Sequence, residues 1–325
     1  MAMAETQSGV ASCPVCGGKG KRSGVHRNGL RRFRCTACKK TYTEDHQARF
    51  RIEDYLKEKR GIMAIRMLLE GSSIRTVERL TDIHRDSIMK LLVIAGQRCE
   101  AVLDRVVRSV AVEDVQADEV WSYVYCKEKN KLPENAHNDS IGDCYTWIAL
   151  DRKSKLVLAY SVGRRTNRQA MDLMYKLRLA TSDDRFQLST DGLMSYVIAV
   201  DEILGDRVDF AQLVKQYAQP REGEQRYSPA PFVAAYKVPV SGNPDPDRIC
   251  TSHVERFNLT MRMSIRRMTR LTNAFSKKLE NHKAAVSLGI AYYNLCRLHS
   301  TIRITPAMEA GITDRVWSVE DLLSA

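Results

Sequence analysis

Four cysteines near the N-terminus constrain this chain more than any other feature. Cys13-Pro14-Val15-Cys16 and Cys35-Thr36-Ala37-Cys38 are two CxxC knuckles with 18 residues between them. Two thiolates spaced this way can face one ion, and two such pairs complete a tetrahedron, so the spacing predicts a structural Zn²⁺ site. Gly17 and Gly18 follow the first knuckle, where a tight turn calls for positive φ. Disulfides are the weaker reading. Nothing points to an oxidising compartment, and a segment of ~45 residues has too little core without a staple. Between the knuckles, Arg31, Arg32 and Arg34 would stand on a zinc-held hairpin and suit phosphate contact. His26 reads as a loop residue. Cys99, Cys126, Cys144, Cys250 and Cys296 show no ligand spacing and read as buried apolar residues.

Charge narrows the partners. The 325 residues carry a net charge of +12, unevenly spread: +10 over residues 1–110, −3 over 111–250 and +5 over 251–325. Basic flanks suit a polyanion, and an acidic middle suits metal ions. At about 150 residues per domain the length suggests two domains with room for a small third. No run approaches the ~20 apolar residues of a membrane span, and the first ten residues lack the pattern of a secretory signal. A cytoplasmic, nucleoid-associated protein without membrane contact is expected.

After the cysteines, periodicity predicts three helices, over 50–70, from Ser72 or Ser73 to Leu80, and over 84–94. Short helices joined at Thr81-Asp82 resemble a helix-turn-helix. The last helix would then offer His84, Arg85, Ser87 and Lys90 to a major groove. A plain helical hairpin is the alternative.

The middle alternates strands and helices. Strands are expected at 110–125, 144–150, 156–162, 186–189 and 208–214, and helices at 167–180 and 194–204. Three antiparallel strands, helix, strand, helix, strand is the order of a ribonuclease-H-like fold. Six of the nine prolines fall between Pro220 and Pro246, so 218–250 reads as an inserted loop or lobe. A final helix from Ser252 carries an apolar stripe of Val254, Met261, Ile265 and Met268, with Glu255, Arg262 and Arg266 on a second stripe.

Three carboxylates form a candidate site. Asp118 lies in the first strand, Asp191 ends the fourth, and Glu255 begins the last helix. In this topology they could meet, and their repulsion would be relieved by a pair of Mg²⁺ or Mn²⁺ ions. Such ions serve phosphodiester chemistry. Glu119 is a possible substitute for Asp118, but strand neighbours point to opposite faces, so only one of the two is expected at the site. Asp114 shares the face of Asp118 but lies further off. Asp143 and Asp151 read as turn residues, His253 and His299 as surface or packing residues, and Trp121 and Trp147 as core. No Gly-rich phosphate loop indicates ATP use.

With CPVC…CTAC, DEVWSYV at Asp118, STDGLMSYV at Asp191, HVERFNLTMRMSIRRMTRLTNAFSK at Glu255 and AYYNLCRLHSTIRITPAMEAG in order, the chain resembles the DDE transposases of bacterial insertion sequences, most closely the insertion-sequence-one family, over nearly its whole length. The resemblance implies a zinc ribbon (1–46), a helix-turn-helix domain (47–108), a ribonuclease-H-like, retroviral-integrase-like catalytic domain (109–310, with the insertion 218–250) and a C-terminal tail (311–325). It implies Asp118, Asp191 and Glu255 as the Mg²⁺-binding catalytic triad, and DNA contacts from Arg262, with Arg266 and Arg267 beside it. The expected reaction is cleavage at transposon ends followed by joining of the 3′-hydroxyl to target DNA. The expected partner is double-stranded DNA, held by a homodimer or larger assembly. A zinc-ribbon and helix-turn-helix regulator without catalysis is the alternative from another class. A nuclease that cuts without joining is a third.

Overall fold

The computed structural model describes residues 12–26, 30–44, 52–218 and 230–325. The chain forms two compact units, Met1–Tyr55 and Leu56–Ala325. In the first, β1 (Gly20–Val25), β2 (Arg31–Cys35) and β3 (Thr41–Thr43) make a three-stranded antiparallel sheet in sequence order. Its core is small: Cys13, Leu30, Phe33 and Cys35 are buried, and Phe33 stacks on Tyr42 at 5.8 Å. So little apolar area cannot offset chain entropy unaided, which is why the cysteines matter to this unit.

The second unit is mixed α/β. It begins with α1 (Lys59–Leu69), α2 (Ile74–Thr81) and α3 (Arg85–Val106). Ser73 caps α2 by accepting from the Thr76 amide, as expected. The turn into α3 contains no glycine. Asp82 takes the left-handed conformation instead, at φ 56°, which a short polar side chain tolerates. Helix α3 runs to Val106, twelve residues beyond its expected end at Ile94. The added turns are held by burial, since Ala95, Gly96, Cys99, Val102 and Leu103 face the interior.

The sheet follows. Its strands are β4 (Asp114–Val124), β5 (Gly142–Asp151), β6 (Val157–Gly163), β7 (Phe186–Asp191), β8 (Val208–Tyr217) and β9 (Phe232–Ser241). Spatial order is β6-β5-β4-β7-β8-β9. The pairs β6-β5, β5-β4 and β8-β9 are antiparallel, while β4-β7 and β7-β8 are parallel. Helices α4 (Asn167–Ala180) and α5 (Met194–Ile203) cover one face, where Trp147 packs edge-on to Tyr196. Helices α6 (Ser252–Ser264) and α7 (Leu279–Leu295) cover the other, where Gln116 accepts from the His253 amide and Ser122 meets His282. Short helices α8 (Pro306–Glu309) and α9 (Val319–Ser324) close the chain. Val319, Leu322 and Leu323 are buried, and Leu323 O accepts from Arg98 of α3, so the stretch 311–325 supplies core residues.

Two expectations are corrected. The proline-rich stretch 218–250 is not simply a loop, because it contains the ten-residue strand β9. Pro239 fits because β9 is an edge strand and the ladder shifts register beside it. Residues 219–229 of that stretch lie outside the described residues. The last helix was expected to continue past Ser264 but stops there. Ile265 turns to extended geometry, and its side chain lies where a Cβ on Gly289 of α7 would be, 2.6 Å from the Ile265 Cδ1. Val254, Met261, Ile265 and Met268 are all buried, as their spacing predicts.

Helices α3 and α7 approach closely at Gly96, where a Cβ would come within 2.4 Å of the Ala284 Cα and carbonyl oxygen. Backbone cannot yield there as a flexible side chain could. Gly96→Ala is expected to destabilise the second unit by about 1–3 kcal/mol, read as a lower melting temperature in calorimetry. An unchanged melting temperature would refute this packing.

Candidate functional site

Strand pairing builds the acidic site. In the parallel β4-β7 ladder Ala117 pairs with Thr190, so Asp118 and Asp191 follow side by side. Asp191 is the last residue of β7, and its Oδ1 accepts from the Leu193 amide at 3.1 Å, fixing the carboxylate at the strand end. Asp118, Glu119 and Asp191 each place an oxygen within 4.8 Å of the other two. The exclusion of Glu119 by strand alternation is thereby corrected. The site sits at the end of β7, beyond the last β4-β7 pair, where side chains from both faces of β4 can reach around. Asp114 instead pairs with Arg152 at 2.9 Å.

Glu255 lies in the first turn of α6, and its carboxylate is outside that converging trio. It is held by Lys215 of β8 and by the Thr251 hydroxyl, which donates to it. Its charge still contributes to the pKa rise of Asp118 and of Asp191.

Four further side chains complete the surroundings. Arg165 donates to Glu119 Oε1 at 2.6 Å and lies 3.7 Å from Asp191. The Tyr196 hydroxyl donates to Glu119 Oε2 at 3.1 Å. Asn258, one turn after Glu255, donates from Nδ2 to Asp118 Oδ2 at 2.8 Å. Lys215 is the fourth. None of them stands out by local spacing. Asn258 at i+3 from Glu255 is the one signal a helical wheel offers.

The electrostatics match the geometry. Burial, then the charges of Glu119 and Asp191, push the Asp118 carboxyl up to about 7. Burial, then Asp191, raises Glu119, while Arg165 opposes the shift. Burial also raises Asp191. Acidic oxygens crowded in a partly desolvated place are hard ligands of the kind that Mg²⁺ and Mn²⁺ accept. The trio can hold a metal ion.

The other expected residues are placed as follows. Arg262 is half-buried, with its Nε buried and without a partner among the described residues. Burial, then Arg270, lowers its pKa, and Asp118 opposes that shift. Arg266 is exposed, whereas Arg267 is largely enclosed and donates to Ser276. His84, Arg85 and Lys90 are exposed and Ser87 is half-buried at the start of α3. Asp143 and Asp151 were expected in turns but lie near the two ends of β5, where Asp143 accepts from the Glu128 amide and Asp151 from the Ser154 amide, and Trp147 is fully buried. Trp121 is only half-buried. Cys99 and Cys144 are buried, and Cys126, Cys250 and Cys296 are half-buried.

In the first unit, the four cysteines converge. Cys13 and Cys38 sulfurs are 3.6 Å apart, Cys16 and Cys35 sulfurs 3.5 Å, and all four lie within 4.8 Å of one another. A tetrahedral Zn²⁺ with bonds of ~2.3 Å has sulfur edges of ~3.8 Å, so the cluster is compatible with zinc. Gly17 takes φ +71° as expected, while a Cβ on Gly18 would press on Cys35 and Cys16 sulfurs at 3.2 and 3.4 Å. The Cys38 amide heads the donors that bring the Cys35 thiol down to about 6, which favours the thiolate a metal needs. Arg31, Arg32 and Arg34 are exposed on β2. No helix among the described residues is long and apolar enough to cross a membrane.

No protein-family model and no curated protein sequence matches the chain. Several solved structures are similar in part, among them these three. One is piggyBac transposase in a synaptic complex with hairpin DNA, with a TM-score of 0.39 and 9% identity over 84% of this chain and 69% of that one. Another is Mos1 transposase in a paired-end complex with the left transposon end, at 0.21 and 14% over 47% and 59%. The third is endonuclease V from Streptomyces avermitilis, at 0.21 and 13% over 59% and 90%. Likeness of this degree leaves the chemistry to be argued from the chain's own residues.

The raised Asp118 pKa has a sign that can be tested. In the metal-free protein its cost is absent below the ordinary value of 3.8, grows as pH rises, and is complete above about 7. Asp118→Asn removes that cost. In EDTA at pH 8 the variant is expected to melt at least about 3 °C above wild type, with the difference vanishing near pH 4. A variant that melts lower at pH 8 would contradict the repulsion.

Proposed function

We propose that the chain is a DNA transposase of the DDE class, which cuts transposon ends and joins the freed 3′-hydroxyl to target DNA. The observation that carries this reading is the convergence of Asp118 and Asp191, 73 positions apart, where β7 ends beside the middle of its parallel neighbour β4. The strand order, with its helix layers, is that expected of a ribonuclease-H-like fold and supports the same reading.

Asp118, Asp191 and Glu255 are the proposed metal ligands. Glu119 competes for the third place, but Arg165 engages one of its oxygens and Tyr196 the other. Its side chain is 3% exposed, against 41% for Glu255. Glu255 is therefore the carboxylate with freedom to turn inward, once Lys215 releases it. Divalent ions bound there would lower the pKa of an attacking water or 3′-hydroxyl and stabilise the leaving oxygen. Asn258 holds Asp118 at one oxygen and leaves the other for the ion. Lys215, once free of Glu255, is placed to meet a phosphate oxygen, and Arg262 adds positive charge near Asp118.

Recognition of the ends is assigned to the cysteine unit, taken as a zinc ribbon over 1–46, and to the helix-turn-helix at 47–108. The exposed Arg31, Arg32 and Arg34 on β2, and His84, Arg85 and Lys90 at the start of α3, suit phosphate and groove contact. Two ends must be paired, so a dimer or larger assembly is expected.

The decisive experiment incubates the protein with end-sequence DNA and Mg²⁺ or Mn²⁺. Wild type is expected to nick and then join, while Asp191→Ala and Glu255→Gln lose at least about a thousandfold in rate and Glu119→Gln loses much less. Binding without cutting by wild type would favour a regulator. Cutting without joining would favour a plain nuclease. Equal loss in Glu119→Gln and Glu255→Gln would move the third ligand.

Metal removal tests the first unit. Cys35→Ser is expected to lower the bound zinc and weaken end binding while leaving the second unit's melting transition in place. Zinc content equal to wild type would contradict the assignment.

A further inference from the structure

Along the α5-covered face of β4, Glu119 is followed by Trp121 and Tyr123. Beyond them lies Phe275, brought beside Tyr123 by the bridge between Val124 and Ser276 and by the Tyr125 amide donating to Ser276 O. Trp121 and Tyr123 ring centroids are 5.7 Å apart, and those of Tyr123 and Phe275 are 4.8 Å apart. Tyr145 pairs with Trp121 across the β4-β5 ladder. All four rings are half-buried rather than core, which corrects the reading of Trp121 as a packing residue. Trp121, with Lys127 and Lys129, borders an open recess of about 600 Å³.

Cations line the row. Lys127 stands 5.6 Å from the Trp121 ring, Lys277 stands 3.6 Å from Phe275, and Arg165 stands 5.9 Å from Tyr145. Among the described residues, no carboxylate forms an ion pair with Lys127, Lys129 or Lys277. The acids of the recess are engaged: Glu128 binds Arg164 and Lys131, and Asp143 accepts from the Glu128 amide. Arg165 joins the row to the acidic trio, because it covers Tyr145 and also binds Glu119.

We propose that this strip binds unpaired nucleotides, with bases stacked on Trp121, Tyr123 and Phe275 and phosphates met by Lys127 and Lys277. A duplex hides its base faces, and a half-open row of rings offers a platform only to a base that has left the stack. The occupant is a single-stranded polyanion because Lys127 and Lys277 have no carboxylate partner among the described residues, whereas Glu128 and Asp143 are engaged. Its place beside the trio puts the splayed nucleotide next to the strand end being processed. The substrate class rests on the DNA-end reading above; the site rests on the strip alone.

The test uses the full-length protein in EDTA, a fluorescein-labelled (dT)20 strand and a 20-base-pair blunt duplex of unrelated sequence. Wild type is expected to bind (dT)20 with quenching of tryptophan fluorescence. Trp121→Ala should weaken (dT)20 binding at least about tenfold and leave duplex binding unchanged, while Trp121→Tyr retains most of it. The quenching should vanish in Trp121→Phe. Should Trp121→Ala fail to fold by circular dichroism, the exposed pair Lys127→Glu and Lys277→Glu decides, with the same selective loss expected. Unchanged (dT)20 affinity in the variants, persistent quenching in Trp121→Phe, or a change in sedimentation mass without a change in (dT)20 binding would overturn the proposal. Wild type that binds (dT)20 through Trp121 but never cuts end DNA would leave the strip standing and remove the transposase reading. The converse removes the strip alone.

Discussion

Repulsion among carboxylates is the constraint around which the second unit is organised. Asp118, Glu119 and Asp191 lie within 4.8 Å of one another in a partly desolvated place, with Glu255 near enough to add its charge. Left bare, such a group would drive its members apart or neutralise them by protonation; burial first, and then the charges of Glu119 and Asp191, push Asp118 up to about 7. Two responses are built into the chain. Arg165 is shared between Glu119 and Asp191, and Lys215 takes Glu255. A cation held by the trio would relieve the remaining repulsion. A group kept only for packing would have no reason to bear it.

The rigid parts of the fold serve this crowding. Asp118 and Asp191 are placed by backbone ladders, which do not adjust to relieve charge, whereas Glu255 is carried by a helix and joined to the sheet by side chains. The three carboxylates proposed as ligands are thus divided between sheet and helix. Asn258 and Gln116 tie the helix to the strand, one through Asp118 and the other through the amides of His253 and Val254. The first turn of α6 is therefore anchored on both sides of Glu255.

Much of this architecture was legible in the sequence because its signals are local. Two knuckles with fixed spacing mark the cysteine cluster, and β-branched runs between turns mark β4 to β8. Asp191 stands out because it sits where a strand pattern gives way to Gly192. The misses share a cause, which is that the deciding partner is distant. Pro239 argues against a strand until one sees that β9 is at an edge. Glu119 is ruled out by alternation until one sees that β7 ends beside it. Arg165, Lys215 and Tyr196 carry no motif, since their roles come from elements that meet only in the folded chain. Ile265 ends α6 because Gly289 on α7 leaves it a place, which no property of 252–272 discloses.

Helix α3 links an exposed, basic surface to the core that carries the acidic trio. Its cap and first two turns expose His84, Arg85 and Lys90, while its last three turns bury Cys99, Val102 and Leu103 in the unit that holds the acidic trio. Gly96 lets it approach Ala284 of α7, and α7 carries His282, which touches Ser122 of β4 and Ser276. Burial keeps His282 down at about 4, so this connection is a neutral hydrogen-bonded one that does not switch near neutral pH. A continuous line of packed groups therefore runs from the exposed start of α3 to the strand bearing Asp118. A ligand gripping the start of α3 would be held in fixed register with the acidic trio through helix and core alone, with no flexible linker between them.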